Sequence, residues 1–399
     1  MTTTQQPLQQ ILRRYYAFSF FRHFAFFSAV LVPFFTDWGR ISFTQIQILQ
    51  SWFMLCFFLL EVPTGAIADY FGRKYSLSLG ALITAGAALL YGSVPQFWGF
   101  MLAEFMFAMG MALTSGADQA LLYDSLKEIG KTAESVKAFG KAHSFHLAGI
   151  LVSALLGSFI AGKFGLNAPM LLSSVTMIIA CAIAWSMREP QRSENISESR
   201  RYLDIARKGF TYFFTHRTLR LIALDAVIVA SAAYFVIWLY QPLLQRLHVP
   251  LVLFGFIHAA LVGVEIVIAA HFARLEKWFG SRKSLLKFTA LATTASFVLV
   301  GVYPSLVTVT LFIIFAGGFG LTRMELMAAH MQRFMPSENR ATVLSSISML
   351  RRFALVLLNP LVGFTADHSL TLALIGVGIL PLLVFFIPTV THETEHATA

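Results

Sequence analysis

The chain has 399 residues, of which 57% are hydrophobic and only 13% charged, with 39 Phe and a net charge of +10. Its mean hydropathy is +0.70. Soluble domains carry about 25% charged residues, and half that fraction cannot cover a globule's surface, so composition excludes a soluble protein and implies an integral membrane protein.

A bilayer-spanning helix needs about 20 mostly apolar residues. In chain order such windows fall at 15–35, 45–69, 76–94, 97–124, 142–162, 167–187, 218–243, 250–273, 285–302, 305–330, 342–364 and 370–389. Twelve spans of an all-α membrane protein are predicted. The alternating segments of about ten residues that a membrane barrel requires do not occur. With the N-terminus inside, Arg13, Arg14, Arg73, Lys74, Lys127, Lys131, Lys137, Lys141 and the basic residues of 188–220 share one side of the membrane. Arg274, Lys277, Arg282, Lys283, Lys287, Arg333 and Arg340 join them, whereas the opposite loops hold only Arg40, Lys163 and Arg246. This bias predicts that both termini are cytoplasmic. No basic patch with interleaved aromatics stands outside the spans, so the charge does not point to nucleic acid. Cys56 and Cys181 fall inside spans, which argues against a disulfide framework. The first span reads as an uncleaved anchor rather than a signal peptide.

The long polar stretch 188–216 divides the chain into a six-helix bundle at 1–187, a linker, and a second bundle at 217–399. Tyr202, Ile205, Phe210 and Phe213 recur at helical spacing in the linker, which predicts an amphipathic surface helix or a flexible connector. The halves also repeat. "GAIADYFGRK" between spans two and three returns as "ARLEKWFGSRK" between spans eight and nine, with Ala273, Lys277 and Gly280 in the places of Gly65, Asp69 and Gly72. "ESVKAFGKAHS" at 134–144 corresponds to "ENRATVLSSIS" at 338–348. Parallel repeats of this kind build one class of secondary transporter.

Gly65-x-x-x-Asp69-x-x-Gly72-Arg73-Lys74, set between spans two and three, resembles the signature loop of the major facilitator superfamily. Glu61-x-Pro63-Thr64-Gly65 and "SGADQALLYDSL" at 115–126 look like one of its bacterial branches. The resemblance implies two six-helix bundles about a pseudo-two-fold axis, and a monomer in the inner membrane. It implies no enzyme activity and no cofactor. Gly65 is the kind of small residue that lets helices approach, Gly72 can take the positive φ of a tight turn, and a lone Asp69 near the membrane surface needs a partner. In the family that aspartate meets a helix N-terminus of the other half, here the span beginning near 342. The motif's arginine, Arg73, meets an acid at the inner end of span four, here Asp124. Together with Lys74 these form the expected inner latch.

A layer of charge lies inside the spans. Glu61 stands eight residues before Asp69, about 12 Å into the membrane. Arg22, Asp118, Asp225, Glu265, Arg323, Glu325, Arg351 and Arg352 lie at comparable depth. The spacing is 203 from Arg22 to Asp225, 204 from Glu61 to Glu265 and 205 from Asp118 to Arg323, with the sign exchanged at two of the three. Each central charge costs at least about 2.5–3.5 kcal/mol on insertion scales, so the layer calls for a role. Arg22 with Glu61 or Asp118, and Arg323 with Asp225 or Glu325, are the expected pairs; they serve either proton-driven partner exchange or static bridging. Glu61, Asp118, Asp225, Glu265 and Glu325 are thus the proton-coupling candidates. In the family spans one, four, seven and ten line the cavity, which would add Gln119, Tyr234 and Trp238 to Arg22 and Arg323. Aromatic walls with few charges suit a small amphiphilic organic solute. Proton-coupled export is the favoured expectation; uptake of an organic anion and a non-transporting receptor or scaffold are the alternatives.

Other signals point elsewhere or nowhere. His143 and His146 share a face of span five at i, i+3, as a proton site, a metal pair or packed histidines. Met106 occupies the place of the exporter arginine four before Gly110, and Gly149, Gly157 and Gly162 lack the proline of the antiporter motif. "HETEH" at 392–396 and "GSFIAGK" at 157–163 lack the context of a zinc or phosphate site, so no metal is expected. Asn195-Ile-Ser197 is a glycosylation sequon on the cytoplasmic side, where it is inert.

Overall fold

The computed structural model describes residues 8–190, 211, 213–331 and 340–387. Among them there is no strand. The first half runs α1 Leu8–Arg22, α2 Phe43–Phe71, α3 Arg73–Ser93, α4 Phe97–Thr114, α5 Ala117–Glu128, α6 Ser135–Phe164 and α7 Ala168–Ser186. The second runs α8 Arg217–Arg246, α9 Leu251–Trp278, α10 Arg282–Val302, α11 Leu306–Phe312, α12 Thr322–Met331, α13 Arg340–His368 and α14 Leu370–Ile379. A capping box starts α2, in which the Gln45 N–H donates to Ser42 Oγ and the Ser42 N–H to Gln45 Oε1. Only a residue tolerant of positive φ can join α2 to α3 in a single step, and Gly72 does so at φ 120°. Gly280, also at positive φ (73°), lies within the three-residue link 279–281 between α9 and α10, so both copies of the repeat turn at a positive-φ glycine.

Ten helical segments among the described residues are long and apolar enough to cross a membrane, against twelve expected. The protein is a multi-pass membrane protein, and the two shortfalls have local causes. Span one leaves the helix after Arg22. It resumes as a 3₁₀ turn at Ser28–Val30, a helical turn at Leu31–Pro33 and a π turn at Phe34–Trp38, so no long uninterrupted helix exists there. The last span stops at Ile379, where Leu380–Phe386 with Pro381 continues as 3₁₀ helix. The surface helix expected within 188–216 falls largely outside the described residues.

The chain forms two compact units. The first holds the described residues up to 190 together with 250–259, and the second holds the remainder. In the first, α3 packs along both α7 and α4, while α1 lies against α6 and α7. In the second, α10 packs on α14, and α8 on α12 and on the π-helical stretch Ile313–Leu321 that precedes it.

Candidate functional site

The chemistry collects where helices are interrupted. Backbone leaving a helix inside a membrane must find new hydrogen-bond partners. At the break in span one, α7 supplies them: Ser173 Oγ accepts from the Phe26 N–H at 3.0 Å, and the Thr176 hydroxyl donates to Phe24 O at 2.9 Å. α6 closes on the same segment through glycines. A Cβ at Gly157 would lie 1.7 Å from Phe26 O, and one at Gly149 would lie 2.6 Å from Phe20 O. These two glycines, which the sequence offered only as an incomplete antiporter motif, make the close approach. At Gly65, where that approach was expected, a Cβ would meet no described atom within 4 Å.

Arg22 is the last residue before this break, and Asp118 is the second residue of α5, just past the break at Gly116 (φ 75°). They pair: Arg22 Nη1 donates to Asp118 Oδ2 at 3.0 Å, and Nη2 donates to the Thr114 hydroxyl. Asp118 also occupies the first turn of α5, where the helix dipole favours an anion. In the second unit Arg323 is the second residue after the π-helical stretch. Its Nε and Nη2 donate to Asp225 Oδ1 at 2.9 and 2.6 Å, and its Nη1 donates to Leu286 O at 2.8 Å and Thr289 Oγ1 at 2.7 Å. Of the alternatives open in the sequence, the structure therefore joins Arg22 to Asp118 and Arg323 to Asp225. These are equivalent positions of the two repeats, with the charges reversed. Their surroundings differ: the Arg22 and Asp118 side chains are 17% and 24% exposed, those of Arg323 and Asp225 only 1% and 4%.

Glu61 and Glu265 are half-buried on α2 and α9 and belong to neither pair. The side chain of Glu325 lies outside the described residues. Gln119 is exposed, and its N–H donates to Asp118 Oδ1 at 2.7 Å. Tyr234 is half-buried with its ring edge-on to Phe235, and Trp238 is buried with no hydrogen-bond partner among the described residues for its indole N–H. Arg351 and Arg352 are half-buried on α13.

At the end of the first unit that carries the signature loop, Arg73 pairs with Asp124 and donates to Ala120 O at 2.8 Å. Asp69 is exposed, and the Lys74 ammonium lies 5.2 and 5.4 Å from the ring centroids of Tyr75 and Trp185. Glu189 was missed in the sequence. Its two carboxylate oxygens accept from the Arg73 and Lys74 N–H groups, each at 2.8 Å, and so cap the N-terminus of α3. Arg188 beside it pairs with Glu128 at 2.9 Å.

Two further groups emerge only in three dimensions. His146 stacks face to face on His23, with ring centroids 3.5 Å apart, and meets His143 edge-on at 5.4 Å. His23 Nδ1 lies 2.8 Å from Ser19 O, which can only accept, so Nδ1 carries the proton. Among the described residues no group of three or more His, Cys, Asp or Glu is arranged to hold a metal ion. Glu104 is buried on α4, and Gln50 Nε2 donates to its Oε1 at 2.9 Å. No ion pair among the described residues includes Glu104. Glu104→Gln keeps an acceptor for Gln50 and should leave the melting temperature in detergent nearly unchanged. Glu104→Ala strands the half-buried Gln50 amide, at a cost of about 1 kcal/mol. Equal losses in the two variants would show that the carboxyl itself is required.

A family model described as Major Facilitator Superfamily matches residues 15–359. The protein svop-1 of Caenorhabditis elegans is 29% identical over 150 residues, 37% of this chain and 28% of that protein. The chain spans about a third of the length of the curated relatives it matches. Among solved structures, the nucleoside transporter NupG superposes with a TM-score of 0.79 at 12% identity, over 94% of this chain and 97% of NupG. A bacterial homologue of the lysosomal transporter Spinster gives 0.77 at 16% identity, over 94% of each chain. At such identities the superpositions speak to the fold alone.

Proposed function

The chain belongs to the major facilitator superfamily, and on that footing we propose that it is a proton-coupled secondary transporter that exports a small amphiphilic organic compound by alternating access. The observation that carries this reading is the charge-reversed duplication, Arg22–Asp118 in one repeat and Asp225–Arg323 in the other. A carboxylate that takes up a proton loses most of its hold on an arginine, so each pair is an element with two states that a proton can bias. Helix interruptions beside Arg22, Asp118 and Arg323 give those states somewhere to go, because unwound backbone can shift without breaking a long helix. Exposure ranks the pairs. Water reaches Asp118 far more readily than Asp225, so Asp118 is the first proton acceptor and the drier pair is the more static partner.

In this reading each unit presents its own solute-facing residues, Gln119 in the first and Tyr234 and Trp238 in the second, and the Trp238 indole N–H, without a partner among the described residues, is a donor for a solute oxygen. Arg73–Asp124, with Glu189 on the start of α3, Asp69 and Lys74, acts as the inner latch. The protein works as a monomer in the inner membrane, with both termini cytoplasmic. The test is accumulation of an amphiphilic solute panel in everted vesicles under an imposed proton gradient, with a protonophore as control. If correctly inserted protein moves no member of the panel in response to the gradient, the reading is wrong. Glu61→Gln should retain solute counterflow, which needs no net proton movement, while gradient-driven flux is lost. Loss of both activities together with expression would make Glu61 a structural residue.

A further inference from the structure

Between α1 and the start of α6 runs an open groove of about 820 Å³, wholly within the first unit. Its walls are two helical stripes, one spaced i, i+3, i+7 and the other i, i+4, i+8. Arg13, Tyr16 and Phe20 come from α1, and Lys137, Lys141 and Phe145 come from α6. Tyr16 and Phe145 stack with ring planes 5° apart and centroids at 5.3 Å, and the Lys141 ammonium sits 5.3 Å from the Tyr16 centroid. Arg13, Lys137 and Lys141 are exposed, and no ion pair among the described residues includes any of them. Glu134 is the single acid in the lining. Such a surface is too charged to face hydrocarbon and too aromatic for a merely solvated face. The α1 wall ends at Phe21, one residue short of Arg22.

We propose that this groove is the entry site for the transported solute, and that the solute is an organic anion with a flat apolar body. Its carboxylate, sulfonate or phosphate is held by Arg13, Lys137 and Lys141, and its body lies on the Tyr16–Phe145 stack. Three cations against one acid make a neutral or cationic solute a poorer fit, since they attract negative charge and repel positive charge at the mouth of the site. Ligand sites of this kind combine an aromatic surface with a few placed charges. An anion that travels up the groove arrives beside Arg22 and competes with Asp118 for it. The inference rests on the transport reading above and gives it a substrate class.

The test is equilibrium binding of radiolabelled 2-naphthoate and of its neutral counterpart 2-naphthamide to the full chain in phosphatidylcholine nanodiscs, with no proton gradient. Naphthoate should bind about tenfold more tightly than the amide, and Lys137→Gln/Lys141→Gln should remove about tenfold of its affinity. Arg13→Gln is a second exposed substitution, for use if the double variant does not fold, and should weaken naphthoate in the same direction. A parallel arm adds phosphatidylglycerol to the nanodiscs, and naphthoate affinity should hold. Equal binding of acid and amide, or no response to the variants, would overturn the proposal. So would displacement of naphthoate by phosphatidylglycerol, which would make the groove a lipid-headgroup site. Because binding is read without a gradient, failure here leaves proton-driven transport untouched. Conversely, a protein that binds naphthoate in the groove but moves no solute would sink the transport reading, and the entry role with it, while the anion site itself would stand.

Discussion

Asp225→Ala is expected to destabilise the protein by about 3–5 kcal/mol, the usual consequence of stranding one member of a buried ion pair. The Arg323 side chain is 1% exposed, and two of its three nitrogens donate to Asp225 Oδ1. Without that carboxylate, the Leu286 carbonyl and the Thr289 hydroxyl, held by Nη1, are the only hydrogen-bond acceptors left among the described residues to a guanidinium that cannot deprotonate. Exchanging both charges for apolar groups of similar volume is a different experiment, because nothing is then left unpaired. Asp225→Leu/Arg323→Met should therefore recover most of the lost melting temperature, as buried pairs elsewhere do when replaced whole. The two arms separate stability from function. If the double variant is as stable as the parent and still couples solute flux to a proton gradient, the pair is scaffolding. If it is stable and uncoupled, the pair takes part in coupling.

The second large effect concerns backbone rather than charge. Gly157→Ala should abolish folded protein or lower its melting temperature sharply. The added Cβ would stand 1.7 Å from Phe26 O and 2.6 Å from Phe26 C. Those are main-chain atoms, and Phe26 is tethered through its N–H to Ser173 on α7. Either α6 moves away or the break in span one is rebuilt, and overpacking of this kind costs about 1–3 kcal/mol or more. Gly140→Ala lies on the same helix, and a Cβ there would meet no described atom within 4 Å. It should be neutral or stabilising by up to about 1 kcal/mol, the helix preference of Ala over Gly. Thermal unfolding of the two variants side by side checks the argument. Similar losses in both would mean that α6 is sensitive to any substitution and that the contact with Phe26 is not special.

Much of the architecture was legible because it depends on hydropathy and local backbone demands. The spans, the inner loop with Gly72 and the echo at Gly280 all follow from residue type and spacing. The charge layer was legible as well, since a 203–205 residue repeat places Arg22 against Asp225 and Asp118 against Arg323 in the two copies. What spacing could not do was choose partners, because Glu61 and Glu325 stood at the same depth as Asp118 and Asp225. The break in span one was invisible for a clearer reason. Residues 23–27 read "HFAFF", with neither Gly nor Pro, and the groups that satisfy the unwound backbone sit on α7 at Ser173 and Thr176. The cause of the break is tertiary. The His23–His146 stack and the Glu189 cap on α3 were hidden in the same way, each joining residues more than 110 positions apart. Glu104 could have been found from sequence, since a lone acid midway through an apolar helix asks for a partner.

The central claim is that the charge-reversed pairs, and Asp118 first among them, convert protonation into a change of conformation. The most direct measurement is the distance between spin labels on Pro95→Cys and Pro304→Cys, both on exposed turns, in a chain whose native Cys56 and Cys181 are replaced by Ala. The parent should show a distance distribution that differs between a mildly alkaline and a mildly acidic sample. Asp118→Asn imitates the protonated carboxyl, so it should show the parent's low-pH distribution already at the higher pH and move no further. An Asp118→Asn protein that keeps the parent's full pH-dependent movement would contradict the account and would transfer the proton response to another group, the stacked His23–His146 pair beside Arg22 in sequence being one candidate.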